Sequence, residues 1–205
     1  AQRKINELKI ENVKLIEMDI LEVRLLEEEF DIIECGGVLH HMEDPSKGLK
    51  ALLGVLKKNG VIKLGFYSEL ARKEIVKARR YIEDHQIKSD ETNIRNFRQQ
   101  IISDEIEELS HLKTFSDFYS LSEFRDLCFH WQEHRFTISQ LQETLQSNDL
   151  EFKGFLLPKT VKSLYKEYFP EDKKQIKLKN WSTFEKQYPN TFKGMYQFWA
   201  CKTQN

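Results

Sequence analysis

A histidine–glutamate pattern in the segment DLCFHWQEH is the first place in this 205-residue chain where residue types and spacing could do chemistry. His130, Glu133 and His134 spell HxxEH there. Two histidines at this spacing on one helix can hold zinc, with the glutamate as the base of a metallopeptidase. Such a site needs a third, distant acidic ligand, for which Glu185 is the only spaced candidate. Because so short a pattern arises easily by chance, we predict no metal, and the alternative is a polar helix surface with one structural histidine.

The elements that would position other polar residues are clearest in residues 30–68. This stretch reads as strand, loop, helix, turn and strand, which is the unit of a parallel sheet with helical crossovers. Asp44 can cap a helix over residues 45–58, and the proline after it fits the first turn. Asn59-Gly60 would end that helix before a second strand over residues 61–67.

The remaining segments show both helical and alternating patterns. Strands are predicted over residues 13–20, 30–35, 61–67, 150–158 and 192–202, and helices over 2–10, 45–58, 69–88, 91–109, 122–130, 139–147, 160–168 and 180–188.

The composition is that of a globular but polar chain, since 40% of the residues are apolar and 32% are charged. The net charge of −1 gives no reason to expect nucleic acid or an anionic membrane as a partner. The sequence has no apolar run of ~18 residues, so no membrane span is predicted. Three widely spaced cysteines without a CxxC pair indicate free thiols in a reducing cytoplasm.

A resemblance to class I S-adenosylmethionine-dependent methyltransferases is carried by the pattern FDII…GVLHHMEDP…GLKALLGVLKKNGVIKLGFYS. The later stretch FSDFYSLSEFRDLCFHWQEHRFTISQL, followed by LEFKGF, resembles the methyltransferase domains found beside tetratricopeptide repeats in some bacterial proteins. The resemblance implies an α/β, Rossmann-like sheet with strands three to seven present and a mainly helical insertion between strands five and six. The chain would then divide into a partial cofactor-binding core (1–68), a helical substrate cap (69–147) and closing strands with intervening helices (148–205).

The cofactor implied by this resemblance is S-adenosylmethionine. In the family, an acid at the position of Asp19 binds the adenine amino group, and the next residue, Ile20, packs on the ring. Gly36 and Gly37 would let the backbone pass close to the methionine part of the cofactor, next to Val38. The alternatives are that Asp19 caps the following segment and that the two glycines form a plain turn.

The catalytic candidates implied by the resemblance are His40 and His41, in the loop beneath the sulfonium, and Tyr67, at the end of a strand. A histidine there could contact the cofactor or act as a general base, or it could be a structural residue bonded to backbone. Methyl transfer of this kind needs little more than in-line placement of the nucleophile and the methyl group.

The substrate candidates come from the segment that follows the strand ending at Tyr67. Arg72 and Arg79 are seven residues apart, so they share a helix face and could bind an anionic substrate, or they could form an ordinary charged surface. Under the resemblance, His130, Glu133 and His134 belong to the insertion and could line the substrate cleft as a hydrogen-bonded cluster.

Methyl transfer from S-adenosylmethionine to an unknown acceptor is therefore the leading hypothesis. The alternative is a non-catalytic, methyltransferase-like interaction module, because the sequence has no GxGxG loop. The zinc metallopeptidase is a third hypothesis. Since AQRKINELKI already has the character of a helix interior, we expect an upstream segment, or a second chain, to supply the neighbour of the strand over residues 13–20.

Overall fold

The computed structural model describes residues 1–130 and 132–203, and its centre is a mixed β-sheet. The long strands lie in the order β1–β2–β5–β4, and the short β3 pairs with the end of β2. The helices are α1 (Gln2–Glu7), α2 (Pro45–Gly54), α3 (Lys73–Asp84), α4 (Glu91–Ile102), α5 (Leu121–Phe129), α6 (Ile138–Gln146), α7 (Lys159–Tyr168) and α8 (Leu178–Gln187). The strands are β1 (Phe30–Cys35), β2 (Leu56–Ser68), β3 (Arg135–Phe136), β4 (Leu150–Phe155) and β5 (Tyr196–Lys202).

The predicted α/β class is confirmed by how these strands pair. β1 and β2 are parallel and are joined through α2, as a crossover unit requires. β5 then lies antiparallel between β2 and β4, so the last two long strands close the sheet as an antiparallel pair. The carboxyl ends of β1 and β2 consequently meet at one edge of the sheet.

The start of α2 agrees with the sequence prediction and its end does not. Asp44 accepts a hydrogen bond from the backbone N–H of Ser46, and Pro45 occupies the first turn. The helix ends at Gly54 rather than at residue 58, and Gly60 lies inside β2. Glycine is a poor helix former, and the chain that follows gains a parallel ladder with β1 and buries Leu56 completely.

The strand predicted over residues 13–20 is wrong. Residues 13–19 have no regular structure, and a 3₁₀ helix, Ile20–Leu26, follows them. Val13, Leu15 and Ile16 remain exposed, and no strand of the described residues pairs with this segment. Without a ladder or a buried face, the alternating pattern has nothing to stabilise it as a strand. The outer edge of β1 is likewise unpaired within the described residues, where Ile32 is 63% exposed.

The apolar side chains form two separate cores. One packs on the sheet and includes residues of α2, α6 and α8. The other lies among α3, α4, α5 and the 3₁₀ segments Glu107–Thr114 and Ser116–Tyr119. The helical part therefore has a core of its own beside the sheet. Among the described residues, none of the helices combines the length and the apolar character needed to span a membrane.

Candidate functional site

The loop after β1 places His40 against the end of β2. Its imidazole is completely buried, and Nδ1 lies 3.3 Å from the carbonyl oxygen of Gly65, so the tautomer with a proton on Nδ1 donates to that oxygen. Nε2 is buried without a hydrogen-bond partner in the described part of the chain. Burial, followed by the charge of His41, lowers the pKa of His40 to about 4. At neutral pH the ring is therefore uncharged, and Nε2 carries a free lone pair.

A pH-dependent stability follows from this lowered pKa. Between pH 6.5 and about 4 the unfolded chain binds a proton at His40 that the folded protein does not bind. Stability is thus fully present above pH 6.5 and is lost as the pH falls toward 4, by about 3 kcal/mol for this group. We expect His40→Asn, which retains a donor near Nδ1, to flatten the profile of unfolding free energy against pH over this interval.

The matched control is His85→Asn, because His85 also bonds a carbonyl oxygen through Nδ1 but is exposed. Urea titrations at a series of pH values measure both variants. Equal pH slopes for His40→Asn and the wild type would contradict the assignment.

The segment before β3 runs along the loop that holds His40 and His41, called the histidine loop below. The backbone N–H of His134 donates to the carbonyl oxygen of His40 at 2.8 Å. His41 Nδ1 lies 2.9 Å from the carbonyl oxygen of Gln132, and the His41 ring is in contact with that of His130, with 4.1 Å between the ring centres and a tilt of 39°. The structure therefore brings together four histidines that the sequence predicted as site residues, although they come from segments about 90 residues apart.

Glu133 of the same segment binds both predicted arginines. Its carboxylate accepts hydrogen bonds from Nε and Nη2 of Arg72 and, at 2.8 Å, from Arg79. The Glu133 side chain is 1% exposed, and burial raises its pKa, but the hydrogen bonds and charges of the two arginines lower the pKa by more. The guanidinium of Arg72 also lies 3.8 Å above the ring of Tyr67. Both arginines are thus paired with Glu133, and Arg72 also connects Glu133 to Tyr67 at the end of β2.

The HxxEH pattern does not have the geometry that zinc requires. α5 ends at Phe129, so His130 and His134 are not on one helix, and Glu133 is held by the arginines. Within residues 1–130 and 132–203 no cluster of His, Cys, Asp and Glu could hold a metal ion. Glu185, the distant acid, instead accepts hydrogen bonds from Tyr196 and Ser68. The zinc hypothesis is not supported, because the helix on which it depends ends too early.

A pocket of about 430 Å³ opens beside the end of β2. Burial raises the pKa of Tyr67, which keeps its phenol protonated at neutral pH. The lining includes Tyr67, Arg72, Phe115, Asp117, Lys193 and Gln197. The sequence interpretation missed Asp117 and Lys193, because each is a single charged residue in a loop far along the chain from β1 and β2, with no motif around it.

The Gly36-Gly37 loop lies next to Gly65 of β2, which also neighbours Met195 of the pocket lining. A Cβ added to Gly65 would lie 3.0 Å from Gly36 Cα and 2.7 Å from Sδ of Met195, which lines the pocket. Gly37 has a φ of +78°, in the left-handed region that favours glycine, and a Cβ on either loop glycine would meet open space. Val38 is exposed next to them. The loop therefore leaves its backbone open to a ligand.

Asp19 and Ile20 lie at the start of the first 3₁₀ helix. Asp19 Oδ1 accepts a hydrogen bond from the backbone N–H of Leu21 at 2.9 Å, which is the capping alternative considered above. Ile20 packs partly against the sheet core. Their role toward an adenine ring stays a prediction.

The family comparison matches the part of the chain that holds this loop. Residues 1–64 match a family model described as a methyltransferase domain, and they include β1, the histidine loop and most of β2. An uncharacterized protein of Synechococcus sp. is 30% identical over 146 residues, which is 68% of this chain and 35% of the relative.

The structural comparison concerns nearly the whole chain. PKMT2 from Rickettsia typhi superposes with a TM-score of 0.69 at 19% identity, covering 98% of this chain and 41% of that protein. Its complex with AdoHcy gives a TM-score of 0.71 at 18% identity, covering 98% and 42%. The chain therefore shares the Rossmann-like α/β fold of that protein. The chain spans about a third of the Synechococcus relative and about two fifths of PKMT2.

Proposed function

We propose that this chain is the part of an S-adenosylmethionine-dependent methyltransferase that carries the methyl-transfer side of the site and the acceptor pocket. The observation that carries the proposal is the open Gly36-Gly37 loop, which lies next to Gly65 and so one residue away from Met195 of the Tyr67 pocket, within the segment that matches the methyltransferase-domain model. The solved neighbour in complex with AdoHcy supports S-adenosylmethionine as the cofactor.

The residues present fit such a cofactor in their chemistry. The backbone of Gly36, Gly37 and Val38 is open to a ligand, and Asp19 has a second carboxylate oxygen without a partner in the described residues. When bound, the cofactor supplies a methyl group on a positively charged sulfur. The chain itself would exclude water from this group and fix the direction from which the acceptor approaches.

Two side chains near the end of β2, Tyr67 and His40, are uncharged at physiological pH. Tyr67 offers a phenol that can donate or accept a hydrogen bond, because burial raises its pKa. His40 packs against the Tyr67 ring, with 4.0 Å between the ring centres, and is completely buried, so it would position Tyr67 rather than contact the acceptor. Tyr67 would orient the acceptor through its hydroxyl, and a proton released by the acceptor would leave to water.

Three finer assignments belong to the same proposal. The resemblance of residues 115–155 supports the subgroup found beside tetratricopeptide repeats. The free thiols of Cys35, Cys128 and Cys201 support a reducing cytoplasm. Burial raises the pKa of Cys128 to about 12, which disfavours its reactive thiolate form. A partner for the outer edge of β1, supplied by an upstream segment or a second chain, stays a prediction.

Calorimetric titration with S-adenosylhomocysteine tests the proposal. We expect saturable binding to the folded protein, and weaker binding by Gly37→Val, because a β-branched residue at a φ of +78° distorts the loop. Gly154→Val is the matched control, since Gly154 also has a positive φ but lies in β4. Folded protein that binds no S-adenosylhomocysteine would contradict the proposal and favour the non-catalytic interaction module.

A further inference from the structure

We infer that the acceptor carries an anionic group and that the Tyr67 pocket holds this group through Arg72 and Lys193. The inference rests on the proposed function, because it names the class of molecule that the same pocket takes. It goes beyond that function in assigning Lys193, which no motif marks.

The first support is an excess of buried positive charge. Arg72 and Arg79 have side chains that are 4% and 18% exposed, and both bind the single carboxylate of Glu133. Arg135, at 4.0 Å from Glu133, adds no net charge because it pairs with Glu69 at 3.0 Å. Burying a charge without a counter-charge is costly. The cluster is therefore one negative charge short, which an anionic ligand would supply.

Arg72 has donor groups that Glu133 does not occupy and that are available to a ligand in the pocket. Its Nε and Nη2 donate to Glu133, whereas Nη1 has no hydrogen-bond partner among residues 1–130 and 132–203. Arg72 also lines the pocket. A guanidinium has five donors in a planar arrangement suited to carboxylate and phosphate oxygens, so Arg72 can bind Glu133 on one side and a ligand anion on another.

Lys193 is a second cation in the pocket wall without a carboxylate partner. Its ammonium donates to the carbonyl oxygen and to Oγ1 of Thr114, at 2.5 and 2.6 Å, and lies 4.3 Å from the centre of the Phe115 ring. Within the described residues it forms no ion pair, and burial lowers its pKa. An anion beside Lys193 would be attracted to it and would favour its charged form.

Asp117 is the one carboxylate among the residues described as lining this pocket, and Ser116 donates to it at 2.8 Å. The wall thus holds two cations, Arg72 and Lys193, and one anion, Asp117. Outside the wall, the charges of Glu133 and Arg79 cancel each other. The balance is positive, while Asp117 can accept a hydrogen bond from an O–H or N–H of the same ligand. A pocket of about 430 Å³ fits a compact group rather than a folded surface.

Titration with sodium acetate and with inorganic phosphate, followed by the NMR signals of arginine Nε–H groups and by calorimetry, tests this inference. The decisive variant is Lys193→Gln, which removes the charge but can still donate to Thr114. The control is Lys186→Gln, because Lys186 is exposed on α8, outside the pocket, and the charge change is the same.

We expect one of the two anions to bind saturably, with an affinity at least about tenfold weaker in Lys193→Gln and unchanged in Lys186→Gln. Preference for acetate or for phosphate identifies the anionic group. The inference is overturned if neither anion binds saturably, or if both lysine variants bind as the wild type does. Titrating S-adenosylhomocysteine into the same samples separates the two proposals, since its binding decides the methyltransferase function and the anion result decides the acceptor class.

Discussion

Glu133→Gln is expected to lower the free energy of unfolding by about 3–5 kcal/mol. The substitution leaves Arg72 and Arg79 in a buried site without the carboxylate that both of them bind. It also weakens the contact between the segment before β3 and the start of α3, because Arg72 is the N-cap residue of that helix. Urea unfolding at neutral pH measures the effect.

The control for this prediction is Glu74→Gln, which makes the same chemical change at an exposed ion pair with Lys77. Exposed pairs contribute roughly 0–1 kcal/mol, so a small loss is expected. The double variant Glu133→Gln with Arg79→Gln removes one of the two uncompensated cations and should recover part of the lost stability. Equal losses for Glu133→Gln and Glu74→Gln would show that the buried cluster adds nothing to stability.

Gly65→Ala is expected to weaken binding of S-adenosylhomocysteine at least about tenfold, which corresponds to about 1.4 kcal/mol. The new methyl group would lie 3.0 Å from Cα of Gly36, so the backbone of the Gly36-Gly37 loop must move. It would also lie 2.7 Å from Sδ of Met195 in the pocket wall, although that flexible side chain can adjust. Calorimetry on the folded variant measures the affinity.

Gly194→Ala is the matched control, because Gly194 lines the same pocket and its added Cβ would meet no atom within 4 Å. The thermal unfolding of both variants shows whether a loss of affinity reflects a loss of fold. If Gly65→Ala and Gly194→Ala bind S-adenosylhomocysteine equally well, the Gly36-Gly37 loop does not contact the cofactor.

The sequence was most informative where local chemistry and tertiary packing agree. The stretch of residues 30–68 predicted a parallel pair with a helical crossover, and the cap at Asp44 is formed as expected. Prediction from the sequence failed where a tertiary contact decides between two possible local structures. The end of α2 moved to Gly54 because the pairing with β1 begins at residue 56, and the alternation in residues 13–20 has no ladder to join.

The candidate site shows the same division. His40, His41 and Tyr67 could be named because the family resemblance implies a site at the loop after one strand and at the end of the next, and the structure brings the three rings together. The pairing of Glu133 with Arg72, 61 positions away, could not be predicted from periodicity, because no spacing rule connects a loop residue to a distant helix start. Lys193 enters the pocket only through the position of β5 between β2 and β4.

The two separate cores have a consequence for how the acceptor reaches its pocket. We expect α4 to open locally without disturbing the sheet, because its buried side chains pack within the helical core. Backbone amides of α4 would then exchange with solvent deuterium sooner than those of β2. Since Phe115 and Asp117 of the pocket wall belong to this helical part, its opening would widen the entrance while the Gly36-Gly37 loop keeps its shape.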